Sequence, residues 1–436
     1  MMRYENKYIS VEKALSFIRS GDVIVTGVAA SEPALFMEQI HTVADRVDHV
    51  TLTNCLPTHP SEIYKPEYAD KFDVDCWFYA PAVRNARGSH ISYIPNHLNQ
   101  IATRRFQNIR PNIFVGAATL PDKHGYVSLS LSNIYERRMI DAADLVILEV
   151  NPNMPYTLGD VQVHVSEVDY MIRADYKPPV LPDLAFSKKD EDIGKLIADM
   201  VPDGSCIQLG IGGIPNAVAK CLETKNDLGV HTEMLNVGIM KLAKMGVVNG
   251  RCKQFERGKI VTSFVLGNEE LYEFLDYNPS VAVMDSVWTN DPFTISRNDN
   301  QISINTTMEI DLTGQCASES IGFRQYSGTG GQASTAVGAQ RSRNGKSVIA
   351  LYSTTTVKDP VTGASKEVSK IVPHLTPGAA VSLSRNDVDR VVTEYGVAEL
   401  RGTSMRERVA RLIEIAHPRF REELWEQALA AGIVRK

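Results

Sequence analysis

The chain has no apolar run near the roughly eighteen residues that a membrane-crossing helix needs. Cysteine is sparse: Cys55, Cys76, Cys206, Cys221, Cys252 and Cys316 are scattered with no CxxC spacing, so a disulfide framework or a zinc site is not expected. The ten histidines show neither HExxH nor HxxxH, and no metal site is expected. There is no serine-hydrolase elbow and no low-complexity segment. No excess of positive charge is present either. A net charge of −6 argues against a general nucleic-acid binder. Met1 to Ser10 is polar and lacks the apolar centre of a secretory signal, so a cytoplasmic protein is the expectation.

What is present is ordinary globular composition, 43% hydrophobic and 22% charged, in 436 residues. That length exceeds one typical core, and two domains are expected. Val11 to Ile18 has the spacing of a short helix. Asp22 to Gly27 is a buried-strand pattern running into glycine, and Leu35, Phe36, Ile40 and Val43 resume helical spacing. Strand, glycine turn, helix is the α/β unit, with ligands at the strand's carboxyl end. The unit recurs at Asp203 to Gly210, with Pro215, Ala217, Val218 and Leu222 after it. The recurrence, near the start of each half, predicts a duplicated α/β domain. Asn112 to Ala118, Asp144 to Val150, Ile260 to Phe264 and Ser280 to Met284 read as further strands, and Pro121 to Tyr126 as a turn. Three prolines within Tyr176 to Pro182 mark the boundary, which gives domains 1–182 and 183–436. Ser187 introduces a helix over Asp190 to Val201. Lys358 to Ser369, with Pro360 and Gly363, reads as a hairpin or loop excursion. Met405 to Val434 is amphipathic helix broken at His417-Pro418.

Chemistry concentrates in a few stretches. Gly210-Ile211-Gly212-Gly213-Ile214-Pro215 fails the GxGxxG spacing and no Gly-Lys-Ser/Thr follows it, which leaves an anion or oxyanion turn at a helix N-terminus, or a turn with a structural role alone. Gly328-Thr329-Gly330-Gly331-Gln332 permits close backbone approach to a ligand, or is a flexible loop tip. Gly229 to Leu235 sets Glu233 among apolar and small polar residues. A carboxylate that attacks an acyl group beside N–H donors for the oxyanion needs both kinds of segment. His231 reads as a satisfied hydrogen-bonding residue. Thr393 to Gly402 holds Glu394, which could point into a site, and Glu399 with Arg401, which could form a surface ion pair of little energetic weight.

Together these segments resemble the acetyl-CoA hydrolase/transferase family of CoA-transferases, most nearly its 4-hydroxybutyrate CoA-transferase branch. The landmarks are Tyr93-Ile94-Pro95, Asp122 to Tyr126, Asn151 to Pro155, His164 to Asp169, Gly210 to Val218, His231 to Met234, Ile310 to Gln315, Gly330 to Gln332 and Thr393 to Gly402. They run through nearly the whole chain, and their order and number are specific where each alone is not. One departure is Ser334-Thr335, where the family pattern has Asp-Phe after Gln332-Ala333. The resemblance implies two related CoA-transferase-type α/β domains with the active site at their interface, the second carrying the nucleophile. It implies transfer of CoA between a short-chain acyl-CoA (4-hydroxybutyryl, butyryl or acetyl) and a carboxylate such as acetate. The route is ping-pong, through a glutamyl-CoA thioester on Glu233. It implies backbone oxyanion donors at Ile214 and Gly330, polar contacts from Asn305, and Glu394 orienting or bounding the nucleophile's surroundings. Gly210, Gly212, Gly213, Gly328, Gly331 and Gln332 would contact CoA, which is a substrate, so no cofactor is expected. The Gly27 to Pro33 turn would line the carboxylate pocket. An acyl-CoA thioesterase on the same scaffold is the alternative, and a CoA- or sugar-phosphate-binding regulator a third. Expected partners are acyl-CoA and small carboxylates, with no nucleic acid and no membrane, in a homodimer or higher homo-oligomer.

Overall fold

The structure, a computed structural model, describes residues 4–86, 88–183, 185–358 and 362–435. It divides into two compact units: Met1–Asp183 with Thr232–Val237 and Lys259–Asp291, and Leu184–His231 with Gly238–Gly258 and Pro292–Lys436. The long first segment ends beside the proline-rich stretch. The structure differs from a division at 182/183 in returning two later segments to unit one. The reason is strand pairing: Met234–Leu235 pairs in parallel with Phe264–Val265, and Phe264 bridges to Ser132. Glu233 therefore belongs to unit one.

Unit one is built on a seven-stranded sheet in the order Ile91–Tyr93, Phe72–Cys76, Val50–Asn54, Val23–Thr26, Ile113–Ala118, Leu145–Val150, Tyr170–Arg173. Every pairing in it is parallel. Strands such as Ile113–Ala118, buried along their whole length, are the continuous apolar runs that a sheet covered on both faces requires. Successive strands after Val23–Thr26 step outward to one edge, and Ile113–Ala118 then starts the other side. The chain order thus reverses at the carboxyl end of Val23–Thr26, the place where open α/β sheets hold ligands. Ile24, Leu52, Val74, Val115 and Ile147 pack against Leu15, Phe36, Met37 and Ile40 from the helical segments. Each such side chain taken fully out of water contributes about 2 kcal/mol.

In unit two, Gly229–His231, Cys206–Leu209, Gln301–Thr306, Lys346–Ala350 and Arg390–Thr393 lie side by side in parallel. Gly396–Glu399 closes this edge antiparallel to Arg390–Thr393. Cys206–Leu209 has its sequence-following neighbours on both sides, as Val23–Thr26 does in unit one. The recurrence in the sequence is therefore a recurrence of topology. The two copies differ after the strand: unit one inserts a single 3-10 turn, Ala29–Ser31, before its helix Ala34–Gln39. Unit two goes from Leu209 almost directly into helix Gly213–Cys221.

The expected helix after Ser187 runs Lys188–Asp199, and Ser187 and Asp190 cap it reciprocally. The expected excursion is an antiparallel hairpin of Thr354–Lys358 and Ser365–Ser369; Pro360 lies outside the described residues, as do Met1 to Arg3 of the amino terminus. The terminal helical stretch is two helices, Met405–Glu414 and Arg421–Ala430, with a 3-10 turn at Pro418–Phe420 between them. Among the described residues no helix is long and apolar enough to cross a membrane, and no cluster of three or more His, Cys, Asp or Glu could hold a metal ion.

Candidate active site

Glu233 sits on a bend between the strands Gly229–His231 and Met234–Leu235, and its side chain is half-buried. Its backbone is fixed from several directions. The Thr232 N–H donates to the Val261 carbonyl at 3.0 Å. The Glu233 carbonyl accepts from the N–H groups of Ser263 and Phe264, at 2.9 and 3.1 Å, and from the Thr262 hydroxyl at 3.0 Å. On the side chain, the Asn290 amide donates to Oε2 at 3.1 Å. Asn290 is fully buried and ends the short helix Ser286–Thr289. That helix is held by Asp285, which caps the Val287 N–H at 2.6 Å and pairs with Arg138, and by Ser286, whose hydroxyl donates to the Ile134 carbonyl at 2.6 Å. The Asn290 amide thus limits the rotational freedom of the Glu233 carboxylate. Cys55 lies within the field of this carboxylate: burial pushes its thiol well up, and Cys76, Glu136 and Glu233 push in the same direction. Buried and pushed up, it is an inert thiol.

The turn Gly27 to Pro33 stands at the carboxyl end of Val23–Thr26. A Cβ on Gly27 would fall 2.2 Å from the Ser31 carbonyl oxygen, so only glycine permits the chain to fold back this tightly. The buried carboxylate of Glu136 accepts the Val28 N–H at 2.9 Å and supports the turn from below.

In unit two, Gly210, Gly212, Gly213 and Ile214 form the turn into helix Gly213–Cys221. A Cβ on Gly213 would lie 2.9 Å from Oδ1 of Asp190, the residue that caps helix Lys188–Asp199. The glycine thus lets two helix starts pack together. Beside this turn is a cavity of about 190 Å³ lined by Gly212, Ile214, Thr306, Leu351, Tyr352 and Lys370, among others. Tyr352 is oriented by its hydroxyl, which donates to Asp190 Oδ1 at 2.6 Å. The Lys370 ammonium donates to the Thr307 carbonyl at 3.4 Å and lies 5.7 Å from the Tyr352 ring centre. Burial pushes Lys370 down to about 8, against the pull of Glu394 and Glu309. A glycine-lined cavity with the half-buried Lys370 ammonium suits the amide carbonyls and phosphates of an extended anionic ligand.

Asn305 lies in a network within unit two: its amide donates to the hydroxyls of Ser303 at 2.9 Å and Thr335 at 3.0 Å, and it exchanges longer contacts of 3.4 Å with Gln208. Thr335, one of the two residues that depart from the family pattern, is thus one of the groups that hold Asn305. Gly328, Gly330 and Gly331 lead into helix Gln332–Arg341, and Gly330 takes the left-handed conformation, φ 57°. The Gln332 amide donates to the Thr306 carbonyl at 2.9 Å, and among the described residues its buried Oε1 has no partner. Glu394 accepts from the Ser353 N–H and hydroxyl at 2.9 and 2.8 Å and pairs with Lys189 at 3.2 Å. Burial would raise this carboxyl, yet those partners hold it below the usual range. Its contacts are thus with unit two, where its charge reaches Lys370 and Tyr352. Glu399 pairs with Arg390 at 3.3 Å and not with Arg401, because residues 390 and 399 are cross-strand neighbours.

Sequence reasoning missed Asn290 and Lys370. Asn290 lies 57 positions from its partner and carries no local signal. Lys370 carried a faint one, a lone cation ahead of the apolar pair Ile371-Val372.

Unit one holds the Glu233 carboxylate hydrogen-bonded to Asn290, and unit two holds a cavity beside a glycine turn. The chain matches the acetyl-CoA hydrolase/transferase N-terminal domain over residues 1–182 and the C-terminal domain of the same family over residues 267–428, and it belongs to that family. It is 40% identical to the succinyl-CoA:cyclohexane-1-carboxylate CoA transferase of Geobacter metallireducens, over 98% of this chain and 95% of that one. It is 38% identical to the 4-hydroxybutyrate coenzyme A transferase of Clostridium kluyveri, over 97% of each. The crystal structure of RipA from Yersinia pestis superposes with a TM-score of 0.92 at 33% identity, covering 99% of both chains. That of a 4-hydroxybutyrate CoA-transferase from Porphyromonas gingivalis gives 0.80 at 32% identity, covering 98% of both. The chain is an enzyme of the CoA-transferase class.

Proposed function

We propose that this enzyme moves CoA between a short-chain acyl-CoA and a small carboxylate, with Glu233 as the nucleophile. The observation that carries the reading is the pinned, half-buried Glu233 carboxylate with its Asn290 donor. An oxygen of Glu233 attacks the thioester carbonyl, the C–S bond breaks, and a mixed anhydride and the CoA thiolate result. The thiolate attacks the Glu233 carbonyl of the anhydride, releasing the first acid as its carboxylate and leaving a γ-glutamyl-CoA thioester. An incoming carboxylate reverses the two steps, giving the new acyl-CoA and free Glu233. No proton or water is consumed, so exclusion of water protects the thioester.

Asn290 acts as a positioning residue that holds one carboxylate oxygen of Glu233. CoA is taken at the glycine turn of unit two, Gly210 to Ile214, with Lys370 as its cationic contact. Gly328 to Gln332 and Asn305 supply further polar groups, and the N–H groups of Ile214 and Gly330 serve the oxyanion. Glu394 tunes Lys370. The same reading makes the protein a cytoplasmic homodimer or higher homo-oligomer, the commonest state for soluble enzymes; light scattering tests the assembly.

The deciding experiment traps the intermediate. The protein is incubated with acetyl-CoA or butyryl-CoA without acceptor, reduced with borohydride, digested and mapped by mass spectrometry. A reduced glutamyl group at Glu233 is expected, and Glu233→Gln should lower transfer by about a thousandfold or more. Modification at another carboxylate overturns the assignment. Free CoA accumulating with no modification would instead make the enzyme a hydrolase, as the acetyl-CoA hydrolase of Candida albicans is named, 30% identical over 56% of this chain.

A further inference from the structure

Asp190 is 3% exposed in unit two, and its two carboxylate oxygens have different partners. Oδ2 accepts the Ser187 N–H at 2.7 Å and the Ser187 hydroxyl at 2.6 Å, which closes the cap of helix Lys188–Asp199. The cap asks nothing of Oδ1. That oxygen accepts the Tyr352 hydroxyl at 2.6 Å, across 162 positions of chain, and a Cβ on Gly213 would stand 2.9 Å from it. Gly213 and Tyr352 both line the cavity of about 190 Å³. One buried oxygen thus ties a wall of the cavity to its glycine turn.

The same bond sets the polarity of the phenol. A tyrosine hydroxyl has one hydrogen, and Tyr352 directs it to Asp190 in a short, charge-assisted bond. Acceptor capacity is all that the phenol oxygen has left.

Lys370 is its complement. The backbone N–H of Lys370 donates to the Ser353 carbonyl at 2.9 Å, which brings residues 352 and 370 together at the foot of the hairpin Thr354–Lys358 and Ser365–Ser369. The ammonium lies 5.7 Å from the Tyr352 ring centre. It has three hydrogens to donate, and its one hydrogen bond among the described residues is the 3.4 Å contact with the Thr307 carbonyl. An acceptor and an under-used donor on one wall match a group that carries N–H and C=O together. That group is a secondary amide. A pyrophosphate brings no donor for Tyr352, and an alkyl chain brings neither group.

We propose that this wall holds a secondary amide of the pantetheine arm of CoA, its N–H on the Tyr352 oxygen and its carbonyl on Lys370, with Asp190 as the positioning residue that keeps the Tyr352 oxygen an acceptor. This rests on the CoA-transferase reading above and names the part of CoA that the cavity takes. Asp190 touches no substrate and acts through Tyr352. Its cap on the helix is a separate contribution, to stability.

The test uses the full chain and measures initial rates of transfer to acetate from butyryl-CoA and from butyryl-pantetheine, which keeps the amides but lacks the nucleotide. Tyr352→Phe, which keeps the ring, and Asp190→Ala should each raise the KM for butyryl-CoA about tenfold with little change in kcat. Each should lower kcat/KM for butyryl-pantetheine by the same factor. The double variant should be no worse than Tyr352→Phe alone, because Asp190 acts through the hydroxyl already removed. Ser187→Ala, which breaks the cap and leaves Tyr352 bonded, should lower the urea midpoint without moving the KM. If Asp190→Ala does not fold, Tyr352→Phe with the two donors decides. A wild-type KM in Tyr352→Phe, a loss with butyryl-CoA that butyryl-pantetheine does not share, or additive losses in the double variant would overturn the inference and leave the transferase reading intact. A wild-type chain that transfers CoA to no carboxylate would remove that reading, and this inference with it.

Discussion

Lys370, the proposed cationic contact for CoA, has a charge state that pH can change. A lysine pushed down to about 8 is still a cation at neutral pH and loses that charge one or two units above it. On the proposed function, the KM for acyl-CoA should therefore rise as pH climbs through 8. In Lys370→Arg, whose guanidinium cannot deprotonate there, the KM should stay flat to about pH 10. Lys370→Met should raise it about tenfold at pH 7. Initial-rate measurements across pH 6.5 to 10 would show this, and a Met variant with the wild-type KM would exclude Lys370 from the CoA site. At this scale the sequence disclosed the charged group but not its setting. Glu233 stood out through its motif. Asn290 did not, since a bond across 57 positions leaves no trace in either local stretch.

Helix Ala34–Gln39 shows how an element can depend on a distant one. Its N-terminal flank, Pro33, supplies no side-chain cap. Instead Glu149, at the end of strand Leu145–Val150, accepts the N–H groups of Leu35 and Phe36 at 3.2 and 2.7 Å and the Tyr176 hydroxyl at 3.1 Å. Burial raises Glu149 from 4.5 to about 7 although all three donors favour the ionised form. The folded protein then keeps a proton that the unfolded chain gives up near 4.5, so stability falls as pH rises between those values and is level above them. The change is roughly 3 kcal/mol across the window. His59, raised by Glu32, acts in the same sense from its ordinary value upward. Urea unfolding at pH 5 and 7 should show a lower midpoint at pH 7. In Glu149→Gln the slope should be smaller, and equal slopes would refute the account. The elements themselves were legible from periodicity: Asn112 to Ala118 and Asp144 to Val150 were expected as strands and are Ile113–Ala118 and Leu145–Val150. The cap was not, because tertiary capping uses a residue whose own neighbourhood is a strand.

At the scale of the whole molecule, the sequence pointed to two α/β halves and a proline-rich boundary, and the recurrence at Gly204 matches a real repetition of topology. It did not reveal that unit one takes back Thr232–Val237 and Lys259–Asp291, since two- and three-residue strands there have too little periodicity to read. Those segments supply unit one with bonds of its own: the Val265 N–H to the Leu131 carbonyl at 2.8 Å, Tyr277 N–H to Tyr156 at 2.8 Å, and Leu181 N–H to Gly267 at 2.8 Å. A fragment of residues 1–182 loses all of these partners. It should unfold without a sharp cooperative transition and at lower urea than the intact chain, by circular dichroism. A fragment that unfolds cooperatively at the full-length midpoint would contradict this.

The shared ownership of the chain has a consequence for its covalent continuity. A protease that cuts between Lys177 and Pro182 severs one peptide bond but not unit one, whose strands come from both sides of the cut. Glu233 and Asn290 both lie downstream of such a nick, in segments that bridge to upstream residues at Phe264 with Ser132 and at Val283 with Gly159. The two halves of a nicked chain should therefore stay joined as the parts of a fragment-complemented enzyme do, with peptide-bond integrity at the boundary expected to be dispensable where the sequence most resembles a linker.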